Sequence, residues 1–221
     1  TNVAKIAALN EDAFKALVRN PIQVAALTVD EVATLPSLKF LLIGSNFGSL
    51  TDAVLASLKE TVITSPTNTV AQIYAVTPSQ IEMLSPARVR LLGSSDTGLA
   101  KIAFLNPNTF ARLVSNPLQV AALTAQEIAT LNSTQFSAIG TNFNLLSNDI
   151  IASLKTTFEA SPTNSQSQIA GITPTQIELL TPAQVRLLGS AASGISQINF
   201  LAANTFAQLA SDSAQVAAIT P

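Results

Sequence analysis

The sequence predicts an all-α fold built of tandem helical repeats, an α-solenoid or compact helical array of many short capped helices. Three observations predict it. The chain repeats itself at a step of about 96 residues, helix-starting tetrads recur along it, and its apolar residues fall at helical intervals rather than in strict alternation.

The repetition is legible without gaps. Residues 4–10 (AKIAALN) return at 100–106 (AKIAFLN) and, worn down, at 196–202 (SQINFLA). The same step links 21–28 (PIQVAALT) to 117–124 (PLQVAALT), 43–47 (IGSNF) to 139–143 (IGTNF), and SPTN at 65–68 to SPTN at 161–164. About half of the positions are identical between the two full copies. Residues 4–99 are therefore read as one unit and 100–195 as a second, with 1–3 the tail of a preceding unit and 196–221 the start of a third. Within each unit a half-repeat of about 48 residues is marked by Thr28, Thr77, Thr124, Thr173 and Thr220. The ends fall inside units, which leads us to expect a piece of a longer repeat protein; native ends would instead predict end-to-end association.

Helix starts come next. In residues 76–93 (VTPSQIEMLSPARVRLLG) and 172–189 (ITPTQIELLTPAQVRLLG), Thr is followed by Pro and, three positions on, by Gln. The Thr hydroxyl can accept from the third amide of the helix while the Gln side chain reaches back to the Thr amide. Proline suits the first helical position, where its missing N–H would lack a partner anyway. Asn20 with Gln23, Thr28 with Glu31, Thr69 with Gln72, Thr77 with Gln80, Asn116 with Gln119, Thr124 with Glu127, Asn132 with Gln135, Thr173 with Gln176 and Thr181 with Gln184 all fit this pattern. Series such as Asn20, Thr28, Pro36 and Thr69, Thr77, Ser85 imply helices of two turns, each series closing at a glycine: Gly44, Gly93, Gly140 or Gly189.

Longer helices are predicted over 51–62 and 147–159, and over 99–105 with 108–114. Two-turn helices are unstable alone in water, so packing must hold them. Phe14, Phe110 and Phe206 occupy one equivalent position, Phe40 and Phe136 another, and Phe47 and Phe143 a third, which predicts recurrent core side chains.

Composition removes much chemistry. The chain has neither Cys nor His, hence no thiolate nucleophile, no imidazole base and neither of the two commonest transition-metal ligands. A formal charge of −2 with 11% charged residues gives no basic field for nucleic acid or an anionic membrane. Apolar runs are short, and residues 1–10 (TNVAKIAALN) resemble neither a signal peptide nor an anchor. We expect no cofactor, no metal, no nucleic-acid partner and no membrane insertion, and no enzymatic activity.

The remaining candidates are repeated, whereas a catalytic site is singular. Glu31, Glu82, Glu127 and Glu178 recur with the unit, two of them as cap partners. Gln23, Gln72, Gln119, Gln168 and Gln215 form a ladder that the capping position explains. A serine nucleophile would need Lys5, Lys59, Lys101 or Lys155 as its base, and no motif supports one. The SDTG at 95–98 is too short for a calcium loop, and Asp96 becomes Ala192. No phosphate-cradling glycine motif is present.

The phrases at 84–98 (LSPARVRLLGSSDTG) and 180–190 (LTPAQVRLLGS) resemble the opening of TAL-effector DNA-binding repeats. The likeness ends after about a dozen residues; Arg90 and Arg186 match each other, but Arg88 becomes Gln184 and no basic stripe accumulates. The period near 48 residues is in the range of HEAT and armadillo arrays. The whole chain is similar to Ala/Thr-rich helical repeats with T-P-x-Q-I-x-x-L phrases in very large secreted bacterial proteins, often adhesins. That resemblance implies a non-enzymatic extracellular or cell-surface scaffold or spacer, whose partners are neighbouring repeats or further copies of itself. The other expectation is an intracellular α-solenoid that binds a protein; its specificity would lie where the copies differ.

Overall fold

The structure, a computed structural model, describes residues 3–58, 72–92, 101–154, 168–188 and 197–219. Among these the fold is all-α, a succession of short helices and 3-10 turns without a strand. The chain divides into two compact units, Thr1–Leu113 and Val114–Pro221.

In the first unit, each short element packs on one that lies a few elements further along the chain. Glu11–Val18 lies against Ser37–Leu42, Pro21–Ala25 against the 3-10 turn Gly44–Ser49, and Val29–Ala33 against Asp52–Ser57. Ser37–Leu42 then meets Gln72–Ala75, Gly44–Ser49 meets Pro78–Glu82, and Asp52–Ser57 meets Pro86–Leu92. In the second unit, Pro117–Ala121 packs on Gly140–Leu145 and Ala125–Ala129 on Asn148–Ser153. There Gly140–Leu145 meets Pro174–Leu179, and Asn148–Ser153 meets Pro182–Leu188. The last layer is Ala203–Ser211 on Pro174–Leu179 and Ser213–Ile219 on Pro182–Leu188.

The cap pattern predicts most starts correctly. Reciprocal capping boxes form at Thr28/Glu31, Thr77/Gln80, Thr124/Glu127, Asn132/Gln135 and Thr173/Gln176, and the same bonds join Thr181 and Gln184. Asn20 and Asn116 differ. Each accepts from the second helical amide, at Ile22 and Leu118, with a cap ψ of 113° or 114° against 160° and 161° at Thr77 and Thr173, an Asx-type turn of the Asn side chain. Thr69 lies outside the described residues, as do Gly93 and Gly189. Gly44 and Gly140 take φ of 52° and 55°, left-handed backbone that favours glycine, and the chain continues from them into 3-10 turns.

The helices predicted over 51–62 and 147–159 are shorter in the structure. They run Asp52–Ser57 and Asn148–Ser153, and Leu58 and Leu154 turn out with ψ of 135°. Ser57 and Ser153 donate their hydroxyls to Val54 O and Ile150 O, taking carbonyls that a continuing helix would use. Residues 59–62 and 155–159 lie outside the described set. Pro107–Val114 forms a helix, but 101–104, expected as α-helix, is a 3-10 turn.

The core is aliphatic with phenylalanine centres. Phe40 packs edge-on to Phe47 with centroids 5.6 Å apart, and Phe136 to Phe143 at 5.3 Å. Phe14 and Phe110 are buried, but Phe206, read as their equivalent, is 46% exposed.

Candidate functional site

A five-residue helix closes very few of its own hydrogen bonds. Its last four carbonyls need donors from elsewhere, and a chain made of such helices buries many carbonyls that would each cost on the order of 1–3 kcal/mol unpaired. The structure supplies the donors from side chains that arrive 28 to 40 residues later.

Glutamine is the commonest of these. Gln72 Nε2 donates to Val32 O at 2.7 Å and Leu35 O at 3.3 Å. Gln168 makes the counterpart bonds to Ile128 O and Leu131 O at 2.6 and 3.5 Å, and Gln215 to Ile177 O and Leu180 O at 2.8 and 2.9 Å. All three are buried, as is Gln119, whereas Gln23 is exposed. From the sequence, the capping position explains this ladder; the structure shows instead that Gln72, Gln168 and Gln215 each tie one element to the carbonyl end of another. Gln176 does both, accepting from Thr173 N through Oε1 at 2.9 Å and donating from Nε2 to Phe136 O at 3.2 Å.

Cations serve the same purpose where the first unit lacks glutamine. Lys39 Nζ donates to Ala7 O and, at 2.5 Å, to Leu9 O, with its charge 5.9 Å from the Phe14 ring centroid. Arg88 donates to Gly48 O and Leu50 O and pairs with Asp52 at 2.8 Å. Its sequence counterpart Gln184 reaches the counterpart carbonyls, Asn144 O and Leu146 O, each at 3.5 Å. Shorter donors complete the set. Asn46 and Asn142 bond Val18 O and Val114 O, Asn106 bonds Tyr74 O and Val76 O, and Thr109 and Thr205 bond Val76 O and Ile172 O. Sequence reasoning missed Lys39, Arg88, Asn46 and Asn106. Their signal was a donor side chain retained at the position in both copies, whatever its charge.

The four glutamates are not brought together. Glu31 and Glu127 close capping boxes, Glu82 pairs with Arg112, and Glu178 is exposed on Pro174–Leu179. Contact with Glu82 raises the Arg112 pKa, and the hydrogen bond between Glu11 and Lys15 lowers the Glu11 pKa and raises that of Lys15. Lys5 is exposed; Lys59, Lys155 and residues 95–98 lie outside the described set. Among the described residues no group of three or more acidic side chains could hold a metal ion, and no helix is long and apolar enough to cross a membrane.

Two open concavities lie among the described residues. One, of about 310 Å³, is lined in the second unit by Thr134, Ser137, Gly171, Thr173, Asn204 and Thr205 among others. The other, of about 320 Å³, is lined in the first unit by Lys15, Arg19, Leu41, Ser45 and Asn46 among others. At the sequence counterparts of Thr134, Ser137 and Ala170, the first unit carries Leu38, Leu41 and Tyr74, exposed by 74%, 37% and 51%. No protein-family model matches the chain, and neither a curated protein nor a solved structure matches it.

Proposed function

We propose that the chain is a tandem helical-repeat segment, about 96 residues per repeat, that acts as a non-enzymatic scaffold or spacer in a large bacterial cell-surface or secreted protein. The single observation that carries this reading is the use of the buried polar side chains. Gln72, Gln168, Gln176 and Gln215 are spent on backbone carbonyls of other elements, and the sequence counterparts Arg88 and Gln184 serve counterpart carbonyls. Such a device suits a repeat array, since residues of one sequence repeat donate to carbonyls of the repeat before it: Asn106 and Thr109 to Val76 O, and Thr205 and Gln215 to Ile172 O and Ile177 O. The Thr/Ser-rich composition of low charge suits an extracellular spacer.

The test is to append one further 96-residue copy and measure the maximum dimension by small-angle scattering. A spacer lengthens by a constant increment per copy. Growth as the cube root of mass would sink the reading.

A second reading, an α-solenoid that binds a protein, is favoured by one observation. The positions Leu38, Leu41 and Tyr74, apolar in the first unit, are Thr134, Ser137 and Ala170 in the second. The contact of Ser37–Leu42 with Gln72–Ala75 keeps that difference local.

A further inference from the structure

Three elements of the first unit lie side by side, with Ser37–Leu42 in the middle, packed against both Glu11–Val18 and Gln72–Ala75. At ordinary helix spacings the surface they share is a strip about 16–20 Å across. Leu41 shares a concavity with Lys15 and Arg19, Leu38 stands one turn before Leu41 on the same helix face, and Tyr74 carries the strip on to Gln72–Ala75. All three apolar side chains are exposed. Their counterparts Thr134, Ser137 and Ala170 line one concavity in the second unit, so the three positions front a common space.

Polarity along this strip switches as a set between the sequence repeats. Lys15, Arg19, Leu38, Leu41 and Tyr74 stand where the second repeat has Ala111, Ser115, Thr134, Ser137 and Ala170. Exposed apolar positions elsewhere need not switch, since Ile22 and Leu118 are counterparts exposed by 78% and 70%. The exposure of the strip belongs to the fold, because Ala111, Ser115, Thr134 and Ala170, well inside the chain, are exposed too.

Charge decides the partner. Of the cations on these elements, Lys15 is held by Glu11, and Lys39 is spent on Ala7 O and Leu9 O. Arg19, exposed at the C-terminal cap of Glu11–Val18, has no carboxylate partner among the described residues. An open guanidinium beside leucines fits a partner that brings a carboxylate and apolar side chains together. An anionic bilayer is recognised by a cluster of cations, and a chain of charge −2 with Glu11 and Asp12 on the same helix as Lys15 offers none.

We infer that this strip docks an acidic, apolar peptide segment of a partner protein, with a carboxylate of the segment on Arg19 and its apolar side chains across Leu41, Leu38 and Tyr74. The inference rests on the protein-binding reading and gives it a site and a partner chemistry. An extended segment of about six residues spans the strip. Tyr and Arg are the residue types on which the energy of such contacts concentrates, and the second repeat has neither at these positions.

The experiment selects peptides from a random display library, about twice the strip in length, on the full chain, and measures the affinity of those selected by fluorescence anisotropy. They should combine Asp or Glu with aliphatic or aromatic residues. The variants Leu41→Ser, Tyr74→Ala and Arg19→Ser bring in the second repeat's residues at exposed positions, which the fold tolerates, and Arg19→Glu reverses the charge. Leu41→Ser and Arg19→Glu should each weaken binding at least about tenfold. Replacing the acid of the peptide by Lys should weaken its binding to wild type and recover affinity for Arg19→Glu. Selected peptides without acidic residues, or peptides whose affinity none of these variants moves, would overturn the site and leave protein binding elsewhere on the chain standing. A selection that yields no binder would overturn both. Self-association abolished by Leu41→Ser, or binding to phosphatidylserine vesicles abolished by Arg19→Glu, in place of peptide binding would give the strip another occupant and equally overturn the proposal.

Discussion

The two units solve one problem with different side chains. Where the second unit places Asn132 and Gln135, and again Thr181 and Gln184, the first places Pro36 and Lys39, and Ser85 and Arg88. Gln135 and Gln184 close boxes with their caps; Pro36 offers no side-chain cap, and neither Lys39 nor Arg88 has an acceptor to close one. In exchange, Arg88 bonds the earlier carbonyls more closely than Gln184 does. Arg88 Nη1 lies 2.5 Å from Gly48 O, against 3.5 Å from Gln184 to Asn144 O. A neutral amide divides itself between its own helix and the neighbouring one, whereas a cation is committed to the neighbour. What the comparison teaches is that the fixed requirement is a donor at the carbonyl end of a short helix, and that side-chain identity is free within it.

The aromatic centres are where the units agree, and truncation there should have the largest effect. Phe47→Ala and Phe143→Ala should each cost about 3–5 kcal/mol in denaturant unfolding, since both rings are fully buried in edge-to-face pairs. A difference of several kcal/mol between the two would break the likeness of the units.

Next come the shared glutamines. Gln72→Leu and Gln168→Leu preserve volume but strip the donors from Val32 O, Leu35 O and their counterparts; each should cost about 2–4 kcal/mol. Gln80→Leu should cost less than Gln176→Leu. Gln80 Nε2 is buried without a partner, whereas Gln176 Nε2 serves Phe136 O and Ser137 O.

Rewriting one unit in the terms of the other sharpens the contrast. Arg88→Leu should cost about 2–3 kcal/mol through its lost carbonyl bonds. The pair Ser85→Thr/Arg88→Gln, which converts the site to that of the second unit, should stay within about 1 kcal/mol of wild type. Equal losses in the two would mean that the charge, and not the donor, is what the site requires.

The smallest effect is electrostatic. With no His and no Cys, no side chain has an ordinary pKa between about 5 and 8, so the melting temperature should be flat there. Glu11, lowered by Lys15, contributes above the ordinary carboxylate range and loses that contribution as pH falls through its lowered pKa. Lys15, raised by Glu11, contributes below its ordinary value and loses it as pH climbs through its raised pKa. Glu11→Gln should remove these two slopes and leave the plateau unchanged, as a pH series of melting curves would show; the pair lies at the surface in contact with solvent, so both slopes are shallow.

Much of this fold was legible in the sequence because local chemistry writes it. Thr77, Thr124 and Thr173 each carry their cap partner three residues away, and Gly44 and Gly140 stand where left-handed backbone is required. What was not legible is non-local. Nothing within the tetrad around Gln176 says that its amide nitrogen will meet Phe136 O, a contact 40 residues back. The acceptors of Lys39 and Arg88 are backbone carbonyls, which leave no mark in a sequence. The helices over 51–62 and 147–159 were read too long because Ser57 and Ser153 look helix-compatible until their hydroxyls take a carbonyl. Phe206 fits its pattern position but is exposed, since a core position is defined by what covers it.

The most direct test of the donor requirement is Gln176→Glu beside Glu31→Gln. Both swaps are isosteric and both keep an oxygen for the capping box, so Gln176→Glu removes only the donation to Phe136 O and Ser137 O. At pH 7 Gln176→Glu should lose about 2–3 kcal/mol of unfolding free energy, and Glu31→Gln less than about 0.5. The introduced carboxyl is buried against carbonyl oxygens, so its folded pKa lies above its unfolded value. Its neutral form can donate, and the deficit should therefore be absent below the ordinary carboxylate pKa and grow as pH rises through the raised folded one. Equal small losses in the two variants, with no pH dependence, would contradict the account.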